Sequence, residues 1–117
     1  MENPILKRIG TVFIPVSNIE KARDWYCDIL GLQADGEIQF GHIYVLPMEG
    51  TGIVLDSKIF AEDRVFQTPP FHIEADDIEE AFSYMSNKNV EMVTPIEHNH
   101  YFNFKDPDGN VLMVCKC

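Results

Sequence analysis

Residues 17–26 read SNIEKARDWY, and residues 76–85 read DDIEEAFSYM. The two stretches match at a constant offset of 59 residues, which is about half of the 117-residue chain. Three residues are identical between them: Ile19 and Ile78, Glu20 and Glu79, and Ala22 and Ala81. A repeat of this length indicates two copies of one supersecondary unit. The sequence therefore predicts a duplicated module.

Each matching stretch has the pattern of a capped amphipathic helix. Ser17 with Glu20, and Asp76 with Glu79, have the spacing of a capping box, so Ser17 and Asp76 are the predicted N-caps. Apolar residues follow at intervals of three and four, which indicates a buried helix face. Gly31 comes directly after the first helix, where a left-handed residue commonly ends a helix.

Strand-like stretches surround both helices, one before each helix and three after it. In the first half they are 9–16, 37–40, 42–47 and 52–57, and in the second half 70–75, 90–96, 101–105 and 110–116. We therefore predict an α+β chain of two tandem βαβββ modules, 1–57 and 70–117, joined by a linker at 58–69. The sequence Asp-Pro-Asp-Gly at 106–109 predicts a type I turn between the last two strands.

The charge balance limits the classes of partner. The chain has 19 acidic and 9 basic residues, and its formal net charge is −10. Such a charge repels phosphate backbones and anionic lipid surfaces, so we expect no nucleic-acid or membrane partner. A cationic small molecule would be compatible with it. The apolar runs are also short of a membrane span, and the first ten residues lack the apolar core of a secretory signal.

The cysteines favour a reducing compartment. The chain has three of them, Cys27, Cys115 and Cys117, which is an odd number without the spacing of a disulfide framework. We therefore predict free thiols and a cytoplasmic location.

Two motifs at the ends of these elements carry a family resemblance. WYCDILGL closes the first helix at 25–32, and DPDGN opens the last strand at 106–110. Together with the repeat, they resemble the vicinal oxygen chelate superfamily, which includes glyoxalase I, bleomycin resistance proteins, fosfomycin resistance enzymes and extradiol dioxygenases. The resemblance implies curved mixed sheets that form a shared concave chamber. It also implies a homodimer, since many members of the family are homodimers.

The resemblance also implies four positions for metal ligands, usually His, Glu or Gln. Here they hold Thr11, Pro70, Met113 and either Asp56 or Val54. A hydroxyl is a weak donor, proline offers none, and a thioether favours soft ions, so these residues suit no hard or borderline divalent ion. We therefore predict that the family's standard metal centre is absent and that the protein has no resident cofactor. A divalent metal at a shifted position remains an alternative.

Strand alternation brings other polar side chains toward the expected chamber. His72 and Glu74 share the face of Pro70, as Phe13 shares that of Thr11. His72 and Glu74 are the candidate catalytic pair, either as a general base or as a hydrogen-bonding anchor. With Asp56 they form a chemically sensible ligand set for a relocated metal. The alternative is that both are half-exposed strand residues with no special role.

Two principal functions follow from these residues. The first is metal-independent binding or sequestration of a small cationic or aromatic molecule in the chamber, as in bleomycin resistance proteins. The second is a metal-dependent lyase or dioxygenase of the glyoxalase type with a relocated metal, so whether the protein is an enzyme stays open. A third is a scaffold with a collapsed pocket. The predicted ligand contacts are Phe13, Tyr44, Asp56, His72, Glu74 and Met113.

Overall fold

The computed structural model describes residues 2–117 and contains two α-helices and seven strands. Each half has a strand, a helix and then further strands, two after the helix in the first half and three in the second. In chain order they are β1 (Thr11–Pro15), α1 (Ile19–Leu30), β2 (Ile43–Leu46), β3 (Gly52–Asp56), β4 (His72–Glu74), α2 (Ile78–Asn87), β5 (Glu91–Met92), β6 (Tyr101–Lys105) and β7 (Val111–Cys115). A short 3-10 helix, Glu62–Arg64, lies in the segment between β3 and β4.

The strands form two mixed sheets, which confirms the predicted α+β class. In the first sheet the order is β1-β3-β2, with β1 parallel and β2 antiparallel to β3. The order in the second sheet is β4-β7-β6-β5, with β4 parallel and β6 antiparallel to β7. In each sheet the strand before the helix therefore pairs with the last strand of its own half.

The sequence repeat is also visible in the register of these pairs. Phe13 pairs with Val54 in the first sheet, and His72 pairs with Met113 in the second. Each partner in the second sheet lies 59 residues after its counterpart in the first. His72 is therefore the structural counterpart of Phe13, and Met113 is the counterpart of Val54.

Both sheets bury one face against the helices. Ile14 and Leu55 in the first sheet, and Phe102 and Leu112 in the second, are fully buried and belong to one cluster with the inner face of α1. Burying each such side chain contributes about 1.5–3 kcal/mol. The apolar stripes predicted from helical periodicity are thus core faces, as Tyr26 in α1 illustrates.

The predicted N-caps are each wrong by one residue. The Asn18 side chain accepts the hydrogen bond from Lys21 N in α1, and Asp77 accepts from Glu80 N in α2. Ser17 instead donates its backbone N–H and its hydroxyl to the Asp108 carboxylate. Each helix is preceded by two adjacent polar residues that could both act as the N-cap. The sequence pattern therefore did not decide between them. Gly31 does end α1, with φ of 68°.

Two predicted strands are shorter than expected. Residues 37–40 form only an isolated bridge from Gln39 to Ile43, because Phe40 and Gly41 take left-handed conformations with φ of 53° and 77°. In place of a strand at 90–96, β5 ends at Met92. Beyond it, Val93 N and Thr94 N both donate to Asn103 O, an irregularity that disrupts regular pairing.

The cysteine pair at the end of the chain also differs from the prediction. A disulfide joins Cys115 and Cys117, whose Cα atoms are 5.4 Å apart. In an extended strand, alternate Cα atoms would be about 6.6 Å apart, so the chain turns after Cys115. The prediction of a free thiol holds for Cys27, which is buried. Within residues 2–117, no helix is both long and apolar enough to cross a bilayer.

A buried polar network ties the two halves together at the 106–109 turn. The Tyr26 hydroxyl donates to Asp106 Oδ2 over 2.6 Å, and Asn110 donates its side-chain amide to Asp106 Oδ2 and to Pro15 O, each over 2.8 Å. Burial raises the pKa of Asp106, while the bonds from Tyr26 and Asn110 oppose that rise. Burial also raises the pKa of Tyr26 well above its ordinary value, so its hydroxyl remains a proton donor.

Candidate functional site

The face of each sheet that turns away from the helices is called the outer face here. In the first sheet it carries Phe13, Val54 and Val45, which lie side by side across β1, β3 and β2. Phe13 is 51% exposed and Val45 is 46% exposed, and both flank the buried Val54. Exposed apolar side chains close to one another make this face a candidate contact surface.

The outer face of the second sheet has a polar row at the equivalent place. His72, Met113 and Asn103 lie side by side across β4, β7 and β6. His72 is exposed, and Met113 and Asn103 are half-buried. The register therefore places His72 and Met113, two of the predicted ligand contacts, on one face. Glu74, two residues along β4, shares that face and is exposed.

Asn103 is a residue that the sequence analysis missed. Its side-chain oxygen is buried and has no hydrogen-bond partner among residues 2–117. A buried polar atom without a partner costs about 1–3 kcal/mol, which a ligand with a donor group would recover. The signal was present in YFNFK at 101–105, where the core residues Phe102 and Phe104 alternate with outward residues.

Asp56 lies on the outer face of the first sheet, but its side chain is already engaged. Asp56 Oδ1 accepts a hydrogen bond from Lys58 N over 2.9 Å and lies 2.8 Å from His42 Nδ1. The residue is buried, with 7% of its surface exposed. These contacts fit a role in holding the end of β3, and they reduce its capacity to anchor a ligand.

Tyr44 does not lie on the outer face, contrary to the prediction. It is fully buried, and its hydroxyl accepts a hydrogen bond from Gly36 N over 3.1 Å. The alternation along β2 turns Tyr44 and Leu46 toward the helices and Val45 outward.

The positions of the family's metal ligands do not fit a metal ion. Thr11 pairs with Gly52, whereas Asp56 pairs with Pro15, four residues further along the same strands. That separation is about 13 Å, too far for two ligands of one ion. Val54, not Asp56, is the counterpart of Met113, and neither offers a ligand for a hard ion.

The relocated set of His72, Glu74 and Asp56 is not assembled either. Among residues 2–117, one group of three metal-ligating side chains has donor atoms that all lie within 4.8 Å of one another, and it consists of His72, Cys115 and Cys117. His72 therefore has two cysteine sulfurs as neighbours, rather than the two carboxylates that the hypothesis required.

A second concave surface lies on the helix side of the sheets, between the two halves. A groove of about 500 Å³ is lined mainly by apolar residues of both halves, and also by Glu49 and Glu74; the apolar ones include Ile29, Leu32, Met48, Ala81, Tyr84 and Met85. A neighbouring cavity of about 340 Å³ is lined by Val12, Phe71, His72 and Glu74, among others. Neither is lined by Phe13, Met113 or Asn103. The groove is therefore an alternative candidate for the ligand-binding surface, distinct from the outer faces.

Comparison with known proteins places this geometry in a family. The model of the Glyoxalase/Bleomycin resistance protein/Dioxygenase superfamily matches residues 8–114. No curated protein sequence matches the chain.

Solved structures show the same fold at low sequence identity. TnmS3, an antibiotic binding protein from Streptomyces sp. CB03234, has a TM-score of 0.76 and 23% identity over 97% of this chain and 98% of its own. A superfamily member from Sphaerobacter thermophilus has a TM-score of 0.73 and 22% identity over 96% and 98%. A lactoylglutathione lyase from Agrobacterium tumefaciens has a TM-score of 0.73 and 15% identity over 97% and 96%.

Proposed function

Since the chain belongs to the Glyoxalase/Bleomycin resistance protein/Dioxygenase superfamily, we propose that it binds and sequesters a small cationic or aromatic molecule without a metal. The binding surface is the pair of outer faces. The family alone does not choose between binding and catalysis, because one fold hosts several chemistries. The choice rests on the side chains of these faces.

The arrangement of Phe13, Val45 and Asn103 is the observation that carries the proposal. The first two expose apolar surface, and the third has a buried oxygen without a partner. Ligand sites combine apolar walls with a few polar groups that fix orientation. Here Phe13 and Met113 would form the apolar wall of the site. Asn103, His72 and Glu74 would be the polar groups that orient the ligand.

The charges favour a cationic ligand over an anionic one. Glu74 is exposed on the outer face of the second sheet, and the chain as a whole carries a formal charge of −10. The half-buried Asn103 also has an oxygen without a partner among residues 2–117, which rotation of its side-chain amide would turn toward a protonated amine. That an antibiotic binding protein shares the fold supports binding, although the likeness to TnmS3 concerns the fold alone.

We further propose that a second copy of the chain closes the chamber. The outer faces are open in one chain, as the exposed Phe13 and Val45 show. The segment before β1 also exposes three large apolar residues, Ile5, Leu6 and Ile9. Apolar surface of this kind is commonly covered by a partner subunit. The proposed modules, 1–57 and 70–117, would each contribute one outer face to this chamber. We also propose that the protein is cytoplasmic.

A dye titration tests whether binding occurs at the outer faces. Metal-free protein is titrated with proflavine, a planar cationic aromatic dye, and dye fluorescence is followed. We expect saturable binding that Phe13→Ser weakens about tenfold, since a buried aromatic contact contributes over 1 kcal/mol. An anionic naphthalene sulfonate dye should bind more weakly.

Tyr84→Ser is the matched control, because Tyr84 is 42% exposed and lines the helix-side groove. It should leave proflavine binding within about twofold of the parent value, a change below 0.5 kcal/mol. If Tyr84→Ser weakens binding and Phe13→Ser does not, the ligand site is the groove and the proposal is wrong.

A further inference from the structure

The outer face of the second sheet holds a cluster of one imidazole and two sulfurs. The donor atoms of His72, Cys115 and Cys117 all lie within 4.8 Å of one another. His72 pairs with Met113 across the parallel strands, so Cys115 is its diagonal neighbour on the same face. Diagonal neighbours on a sheet are within reach of long side chains.

The chain after β7 brings the third donor back to the first two. Lys116 N donates to His100 O over 2.7 Å, which holds the residue between the cysteines against the start of β6. The turn after Cys115 then leaves the Cα atoms of Cys115 and Cys117 5.4 Å apart. Two cysteine sulfurs separated by one residue thus lie beside one imidazole.

We propose that the reduced chain binds one Zn²⁺ ion through His72, Cys115 and Cys117. Imidazole nitrogen and thiolate sulfur are the ligands that zinc prefers. Tetrahedral zinc with such ligands places its donor atoms roughly 3.3–3.8 Å apart, which the observed spacing reaches with small side-chain movements. His72 and Cys117 are exposed, so the fourth position faces solvent.

This site differs from the metal centre that the family's positions imply. It uses none of Thr11, Pro70, Met113 or Asp56, and two of its ligands are thiolates instead of oxygen or imidazole donors. Glu74 pairs with Cys115 in the sheet register and is exposed, so a carboxylate lies on the same face. The site goes beyond the proposed small-molecule binding, which needs no ion.

The oxidation state of the two cysteines controls the site. In the structure they form a disulfide, which leaves no thiolate to bind zinc. Two molecules of a low-molecular-weight thiol reduce it to the two cysteine thiols and are themselves joined as a disulfide, and zinc then displaces the two thiol protons on binding. A low-molecular-weight disulfide reverses the process: the two thiolates become the protein disulfide, the added disulfide becomes two thiolates, and the zinc ion is released.

Zinc titration of the reduced protein tests the site directly. Protein reduced with a phosphine and stripped of metal competes for Zn²⁺ with a chromophoric chelator, and Co²⁺ is added separately to detect thiolate-to-cobalt absorption. We expect one ion per chain. Cys117→Ser and His72→Ala should each weaken binding at least about tenfold, in line with the cost of disturbing a zinc ligand. The oxidised protein should bind no zinc.

Two variants serve as matched controls. Cys27→Ser removes the cysteine that lies outside the cluster, and His98→Ala removes an exposed histidine of the loop before β6. Both should keep the parent affinity for zinc. Circular dichroism checks that each variant is folded, and the exposed Cys117 is mutated in preference to the buried Cys115.

The proposal is overturned if the reduced parent protein binds no stoichiometric zinc. It is also overturned if Cys117→Ser binds as tightly as the parent, or if the control variants lose affinity to the same extent. Zinc and proflavine binding by the reduced parent protein separate the two proposals: dye binding without zinc binding refutes only the zinc site, and zinc binding without dye binding refutes only the small-molecule function.

Discussion

Asp106 shows how one buried carboxylate can join the two halves of the chain. It accepts hydrogen bonds from the Tyr26 hydroxyl and from the side-chain amide of Asn110. Asn110 in turn donates to Pro15 O at the end of β1. The turn sequence that carries the family resemblance is therefore a structural connection between α1, β1 and the last strand, and it lies away from the outer faces.

Tyr26→Phe should destabilise the protein in a pH-dependent way. Burial raises the pKa of Asp106 above its ordinary value of 3.8, so the folded state binds protons more tightly than the unfolded state. Stability contributed by this group therefore falls as the pH rises from the ordinary pKa through the folded-state pKa. Loss of the Tyr26 hydroxyl raises the folded-state pKa further and widens that window.

Urea denaturation at pH 4 and pH 7 measures this effect. At pH 7 the substitution should lower the free energy of unfolding by about 1.5–3 kcal/mol, the value of a hydrogen bond to a charged group. The loss should be smaller at pH 4. An equal loss at both pH values would contradict the role given to the Tyr26 hydroxyl.

At the scale of elements, the sequence predicted both helices and their buried stripes, because helical periodicity is a local property. It did not predict the ends of the irregular strands. Phe40 adopts a positive φ that its side chain does not reveal, and β5 ends where two backbone N–H groups share Asn103 O. Such details depend on the partner strand, which lies elsewhere in the sequence.

The caps of α2 give a test of the corrected helix boundary. Asp77→Ala should lower the free energy of unfolding by about 1 kcal/mol, because it removes the side-chain acceptor for Glu80 N. Asp76→Ala is the matched control and should cost less than about 0.5 kcal/mol, as for an ordinary surface substitution. Thermal or urea denaturation measures both. A larger loss from Asp76→Ala than from Asp77→Ala would mean that Asp76 is the N-cap, as the capping-box spacing predicts.

At the scale of the whole molecule, the repeat explains which site residues were predictable. Alternation placed Phe13, His72, Glu74 and Met113 on the outer faces. It did not show that Tyr44 faces the helices, because alternation predicts which residues share a face and not which face that is. It could not show that Asp56 is held by His42, nor that Cys117 folds back to His72, since both contacts depend on side-chain positions in three dimensions.

The proposed homodimer has its own test. Val45 is 46% exposed on the outer face of the first sheet, and Val93, 44% exposed just after β5, is the matched control. Val45→Lys should convert the dimer to a monomer, because a lysine charge is costly to bury in an apolar interface. Val93→Lys should remain dimeric. Sedimentation equilibrium distinguishes these outcomes, and a monomeric parent protein would contradict the dimer.

The central claim is that a small molecule binds against the outer faces without a metal. A crystal structure of the metal-free protein with proflavine tests it most directly. The account predicts that the dye lies against Phe13 and Met113, with an amino group donating to the Asn103 oxygen. A dye that lies in the helix-side groove against Tyr84 and Met85, or that requires an added metal ion to bind, would contradict it.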